Sequence, residues 1–109
     1  MNRTRPVLVA CRISRSGFSG ERVFQVSRAD GEEYVGVAPV HYFLTTDSQR
    51  LPRDAAIAPG EEVEGRILAL LVASEKDEAT VVFPGGELTR VKFDEVDEPS
   101  AEVASDVLV

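Results

Sequence analysis

The chain has 109 residues, carries a formal net charge of −7, and is 43 % hydrophobic and 28 % charged. That length fits one domain and excludes two of ordinary size, and the composition excludes wholesale disorder. A single cysteine excludes an intrachain disulfide framework, and no apolar run nears the ~18–20 residues of a membrane-crossing helix.

Thr4 to Ile13 is rich in β-branched and apolar residues and predicts a strand, buried on both faces at its centre. Ser14 to Gly20 is a turn or loop with two glycines, and Glu21 to Ser27 is a second strand. Its alternation sets Val23 on one side and Phe24 and Val26 on the other, with Arg22 and Arg28 on the phenylalanine side. Ala29-Asp-Gly-Glu32 signals a tight hairpin turn, because Asp-Gly accepts positive φ. Tyr34 to Val40 is a third strand, in which Gly36 marks an expected bulge or bend. From His41 to Gly60 the pattern loosens, with room for one helical turn over Asp54 to Ala58; a helix across 43–57 is the main alternative. Glu61 to Ser74 reads as one long strand bent near Gly65. Glu75 to Glu78 is a corner and Ala79 to Phe83 a fifth strand. Pro84-Gly-Gly86 is another corner, and Glu87 to Phe93 alternates Thr89, Val91 and Phe93 against Leu88, Arg90 and Lys92.

About six strands with turn signals roughly every ten residues predict a mainly-β fold. The expected form is a small antiparallel β-barrel or β-roll of SH3-like or OB-like size, with at most one short helix. Residues 1–98 form the domain, and 99–109 form a mobile acidic and apolar tail beyond Pro99. No internal repeat is evident. Arg3 and Arg5 precede a five-residue apolar stretch that Arg12 ends, too short for a secretory leader. Together with the lone thiol, this makes the cytoplasm the expected location. No membrane partner is expected.

Charge is unevenly placed. Residues 1–28 hold six arginines against Glu21 alone, a balance of +5, whereas residues 29–109 hold six basic and eighteen acidic residues, a balance of −12. Overall acidity argues against nonspecific duplex DNA binding, which needs local positive charge. A basic face drawn from the first third would suit single-stranded nucleic acid, with aromatics stacking on bases and arginines on the backbone. Its candidate residues are Arg12, Arg15, Phe18, Arg22, Phe24 and Arg28, extended by Arg90 and Lys92. The competing reading places Phe24 and Val26 in the core, with the arginines capping the barrel or pairing with the chain's own carboxylates.

Catalytic and metal chemistry find little support. His41 is the one histidine, so a Cys11–His41 dyad is the one familiar nucleophile arrangement available. Cys11, however, sits in a run that reads as mid-strand core. No Cys-x-x-Cys or His-x-x-x-His spacing exists for zinc, and Asp94, Glu95, Asp97 and Glu98 lack the spacing of a calcium loop. No metal and no cofactor is expected. The tripeptide Val107-Leu108-Val109 is a candidate docking segment that could add to a sheet edge.

The segment Pro59 to Ile67 has a Gly-x-x-Val-x-Gly-x-Ile spacing that resembles the opening of the first strand in OB-type and translation-factor-type barrels. The resemblance implies that Gly65 lets the strand bend sharply. The leading expectation is a non-enzymatic binding or adaptor module working through protein–protein contacts or self-association. Single-stranded RNA or DNA binding is the alternative.

Overall fold

Period-two alternation along the chain becomes one antiparallel sheet in the computed structural model, which describes residues 4–18, 20–47, 49, 57–58 and 60–99. The strands are β1 (Arg5–Arg15), β2 (Glu21–Ser27), β3 (Glu33–Pro39), β4 (Phe43–Thr45), β5 (Glu62–Glu75), β6 (Glu78–Val82), β7 (Leu88–Lys92) and β8 (Val96–Asp97). Single 3-10 turns, Val40–Tyr42 and Phe93–Glu95, precede β4 and β8. The sheet runs β3-β2-β1-β5-β6-β7, with β4 added to β5 and β8 added to β1. It curls into a nearly closed six-stranded barrel. At the seam, the Ala29 N–H donates to the Arg90 carbonyl at 2.9 Å, and the Tyr34 ring stacks on Phe83 at 5.3 Å.

The inward faces fill the barrel. Val7, Val9, Ile13, Phe24, Val26, Phe43, Ile67, Val81, Phe83 and Val91 are all buried within one cluster, with Phe24 and Phe83 5.2 Å apart. A smaller cluster lies on the opposite side of β1 and β5, where Leu8 and Leu68 pair in register and Leu44 of β4 covers them. This explains why 7–9 and 67–69 are unbroken apolar runs. At those points both faces of the strand are covered, so alternation gives no advantage.

The two halves of the chain repeat one plan. Each has a long strand, a hairpin, a 3-10 turn and a short strand, and each short strand joins the long strand of the other half. Val9 and Ile67 pair with each other; Phe43 of the first half pairs with Ile67, and Val96 of the second pairs with Val9. An approximate two-fold axis therefore passes through the Val9–Ile67 pair. Arg22, Phe24 and Val26 on β2 correspond to Ala79, Val81 and Phe83, all of them buried.

The barrel of about six strands is as expected; β4 and β8, too short to announce themselves, are added to its long strands. Several other expectations are revised here. The helix across 43–57 is not seen at its start, where 43–45 is strand because Phe43 and Leu44 each have a cluster to enter. Ile57 is in the core, while residues 54–56 lie outside the described residues. Gly36 is no bulge: the β2–β3 register runs unbroken from Glu21↔Pro39 to Ser27↔Glu33. A Cβ at Gly36 would sit 2.8 Å from the ring of Phe24, its cross-strand neighbour, so the glycine makes room for that ring. The irregular step occurs instead in β5, between Leu71 and Ala73. At Gly65 a Cβ would lie 2.6 Å from both Ile13 and the Leu44 carbonyl, which lets β4 press close on β5.

Candidate interaction surface

Folding decides what the arginine-rich first third presents. β1 lies between β5 on one edge and β2 and β8 on the other, so its cations meet carboxylates from later in the chain. Arg5 pairs with Glu98 and Arg12 with Glu33; on β5, Arg66 pairs with Asp97. Arg28 lies 3.4 Å from Asp30, and Lys92 stands across from Glu78 in register. Arg15 is exposed but shares a shallow groove with Glu61 and Glu62. The hydrogen bond from Arg12 to Glu33, reinforced by the carboxylate's charge, pushes the already high pKa of that guanidinium further up. The charge asymmetry of the sequence is thus interleaved in space.

The eight candidate residues do not form one face. Arg22 and Phe24 point into the barrel: Arg22 is buried with Nη1 donating to the Glu21 carbonyl at 2.7 Å, and Phe24 is wholly enclosed. Phe24 therefore has no ring face to offer a base. Of the two readings of β2, the one that places Phe24 and Val26 in the core matches the structure, since that side is the more apolar. Arg28 lies beyond the strand, in the turn. Phe18, 74 % exposed, is on the β1–β2 turn, which the Ser16 hydroxyl ties together by accepting from the Phe18 N–H and donating to backbone carbonyls. The structure does bring Arg28 and Arg90 together, in a groove of about 540 Å³ at the barrel seam. Asp30 and Glu78 line the same groove, so it is mixed in charge. Residues Val107, Leu108 and Val109 lie outside the described residues.

Cys11 is buried and its thiol is pushed up to about 12 by burial, with Arg66 acting weakly the other way. It is protonated at neutral pH. His41 is exposed, its ring 4.6 Å from that of Tyr42. Among the described residues, no three His, Cys, Asp or Glu side chains converge as a metal site, and no helix is long and apolar enough to cross a membrane.

One surface was missed by sequence reasoning. On β3, Val35 and Val37 are 55 % and 50 % exposed, beside half-buried Val23 on β2. The signal was present in Tyr-Val-Gly-Val-Ala, where large residues alternate with small ones. Because Gly36 and Ala38 are small, the valines look like the core face, yet the inner space opposite Gly36 is filled by Phe24 from β2.

β3 is also the first strand of the sheet path. The Arg28 N–H donates to the Glu32 carbonyl and the Val40 N–H to the Gly20 carbonyl, which sets the phase of the ladder between β2 and β3. In that phase Tyr34, Gly36 and Ala38 bond to β2. Glu33, Val35 and Val37 turn their backbone groups to the open edge, as does Pro39, which has no N–H. Among the described residues no backbone group bonds to that edge. No known family, curated protein or solved structure matches the chain.

Proposed function

We propose that the protein is a non-enzymatic binding module that takes another polypeptide along the open edge of β3. The observation that carries this reading is the coincidence, on one strand, of outward backbone groups and half-exposed Val35 and Val37. An edge of this kind supplies hydrogen bonds in register, and its side chains select what lies beside them. The pairing of Arg5, Arg12, Arg28 and Arg66 with carboxylates supports the same reading, because cations held this way attract phosphate less. A buried, protonated Cys11 supports a structural rather than catalytic thiol, and it suits a reducing, cytoplasmic setting.

Single-stranded nucleic acid is the second reading, favoured by the shared groove of Arg28 and Arg90. A two-part titration separates them. Adding a short alternating Thr-Val peptide to isotope-labelled protein should shift the Val35 and Val37 amide resonances. Labelled single-stranded RNA should give no rise in anisotropy at ~50 mM salt. RNA binding that falls steeply by ~200 mM salt and is lost in Arg28→Ala would overturn the first reading in favour of the second.

A further inference from the structure

We propose that the polypeptide taken up by β3 is the β3 strand of a second copy of the chain, forming an antiparallel pair about a two-fold axis at Gly36. The proposal rests on the strand-edge reading above and adds the identity of the occupant. It follows from the self-complementarity of the edge. In an antiparallel pair centred on Gly36, Val35 faces Val37 of the second copy, and Val37 faces its Val35. Both residues turn their N–H and C=O groups outward, so each such pair exchanges both backbone bonds. Glu33 falls opposite Pro39 of the second copy, and its N–H meets the proline carbonyl. The missing proline N–H then costs nothing central to the ladder.

Side-chain placement selects this register over its neighbours. Moving the centre to Val35 would set the Glu33 carboxylate against Val37 of the second copy, and moving it to Val37 would spend Val35 on Pro39. Centred on Gly36, valine meets valine on the outer face, the favourable cross-strand combination for β-branched residues. No like charges stand opposite each other, since Glu33 is the one ionisable residue with its backbone on this edge, and it already pairs with Arg12.

The other end of the sheet path makes the contrast. β7 presents Leu88, Arg90 and Lys92 at the positions equivalent to Val35, Val37 and Pro39, and Ala29 already occupies its Arg90 carbonyl. That edge carries the cations that block strand addition, and β3 does not. Each copy is acidic, so pairing two copies brings like net charge together. Association should strengthen as salt rises and screens that repulsion, the reverse of phosphate binding.

The test is analytical ultracentrifugation of the full chain over ~5–500 µM at ~50 and ~200 mM salt, with Val37→Lys and Leu88→Lys as variants. A dimer that tightens with salt, weakens more than about tenfold in Val37→Lys and persists in Leu88→Lys is expected. Val37 is half exposed, so at a concentration where both proteins are monomeric that variant should keep the wild-type urea midpoint, a check that its fold is intact. A dimer indifferent to Val37→Lys would overturn the proposal. A monomer at every concentration would also overturn it; if its Val35 and Val37 amides still respond to the Thr-Val peptide, the strand-edge reading survives with another partner. A monomer with unresponsive amides would sink both.

Discussion

The halves of this barrel, residues 5–45 and 62–97, follow one plan with different fillings. In the first, the large ring of Phe24 lies across from Gly36; in the second, the smaller Val81 lies across from Thr89. The first half buries Cys11 and Arg22 where the second has Ala69 and Ala79. Val40 of the first 3-10 turn is buried, whereas Phe93 of the second is 40 % exposed. At the Phe24–Gly36 position a ring opposite a glycine is exchanged for two mid-sized residues, a redistribution that close packing allows. On the outer edges no such compensation holds: β3 is apolar and β7 is cationic. Interior positions are constrained by the shared barrel and the two edges are not, so the edges are where the halves diverge in what they can do.

The strongest way to break the comparison is to empty the larger pocket. Phe24→Ala should cost about 3–5 kcal/mol in urea unfolding, against about 2 kcal/mol for the equivalent Val81→Ala. Equal costs would show that the halves share the core evenly.

Next comes transplantation of one filling into the other half. Gly36→Thr alone should cost about 1–3 kcal/mol, because its Cβ meets the Phe24 ring. Adding Phe24→Val should recover part of that loss. A double variant no more stable than the sum of its parts would mean that the two pairs are not interchangeable.

Cys11→Ala copies the second half at Ala69 and reports through pH. The folded thiol is pushed up to about 12 from an ordinary 9.0, so the unfolded chain loses its proton first. Stability from this group is complete below pH 9 and declines as pH rises toward 12, by at most about 1.4 kcal/mol per unit. Burial also raises the Tyr34 phenol, with Glu87 adding to the shift, so its contribution declines in the same direction. Cys11→Ala should therefore flatten the alkaline limb without abolishing it. An unchanged slope between pH 9 and 11 would contradict the burial of the thiol.

The smallest effect concerns the guarded edge. Arg90→Val should leave the urea midpoint within about 0.5 kcal/mol and give β7 an apolar residue where β3 has Val37. Sedimentation should then show additional association beyond the wild type. If none appears, the bond from Ala29, rather than the cation, is what closes β7.

The barrel itself was legible because its signals are local. Asp30 and Gly31 form the β2–β3 turn as expected, with Gly31 at φ +90° and the Glu32 N–H bonded to the Asp30 carboxylate. Likewise Thr89 and Val91 point inward while Arg90 and Lys92 point out. The repeat was not legible, because it is carried by register and not by residue identity: Phe24 and Val81 share a role but no chemistry. Nor was the fate of the arginines, since Arg5 meets Glu98 and Arg66 meets Asp97 through pairings distant in sequence. Composition along the chain says nothing about which strands become neighbours. The outward valines of β3 were not legible for a narrower reason: the inward and outward sets differ little in hydrophobicity when the inner residues are Tyr34, Gly36 and Ala38.

The reciprocal placement of β4 and β8 has a consequence in time. During synthesis the Leu8 and Val9 positions of β1 cannot gain their β8 partners until Val96 and Asp97 are made. At about 5–20 residues per second, that interval is roughly 5–20 s. Through it Leu8 and Val9 wait without the β8 partners they have in the finished molecule. The β1–β5 pairing spans a long stretch of chain as well, but β5 is made before β8, so the last short strand is positioned to be the step that completes the barrel.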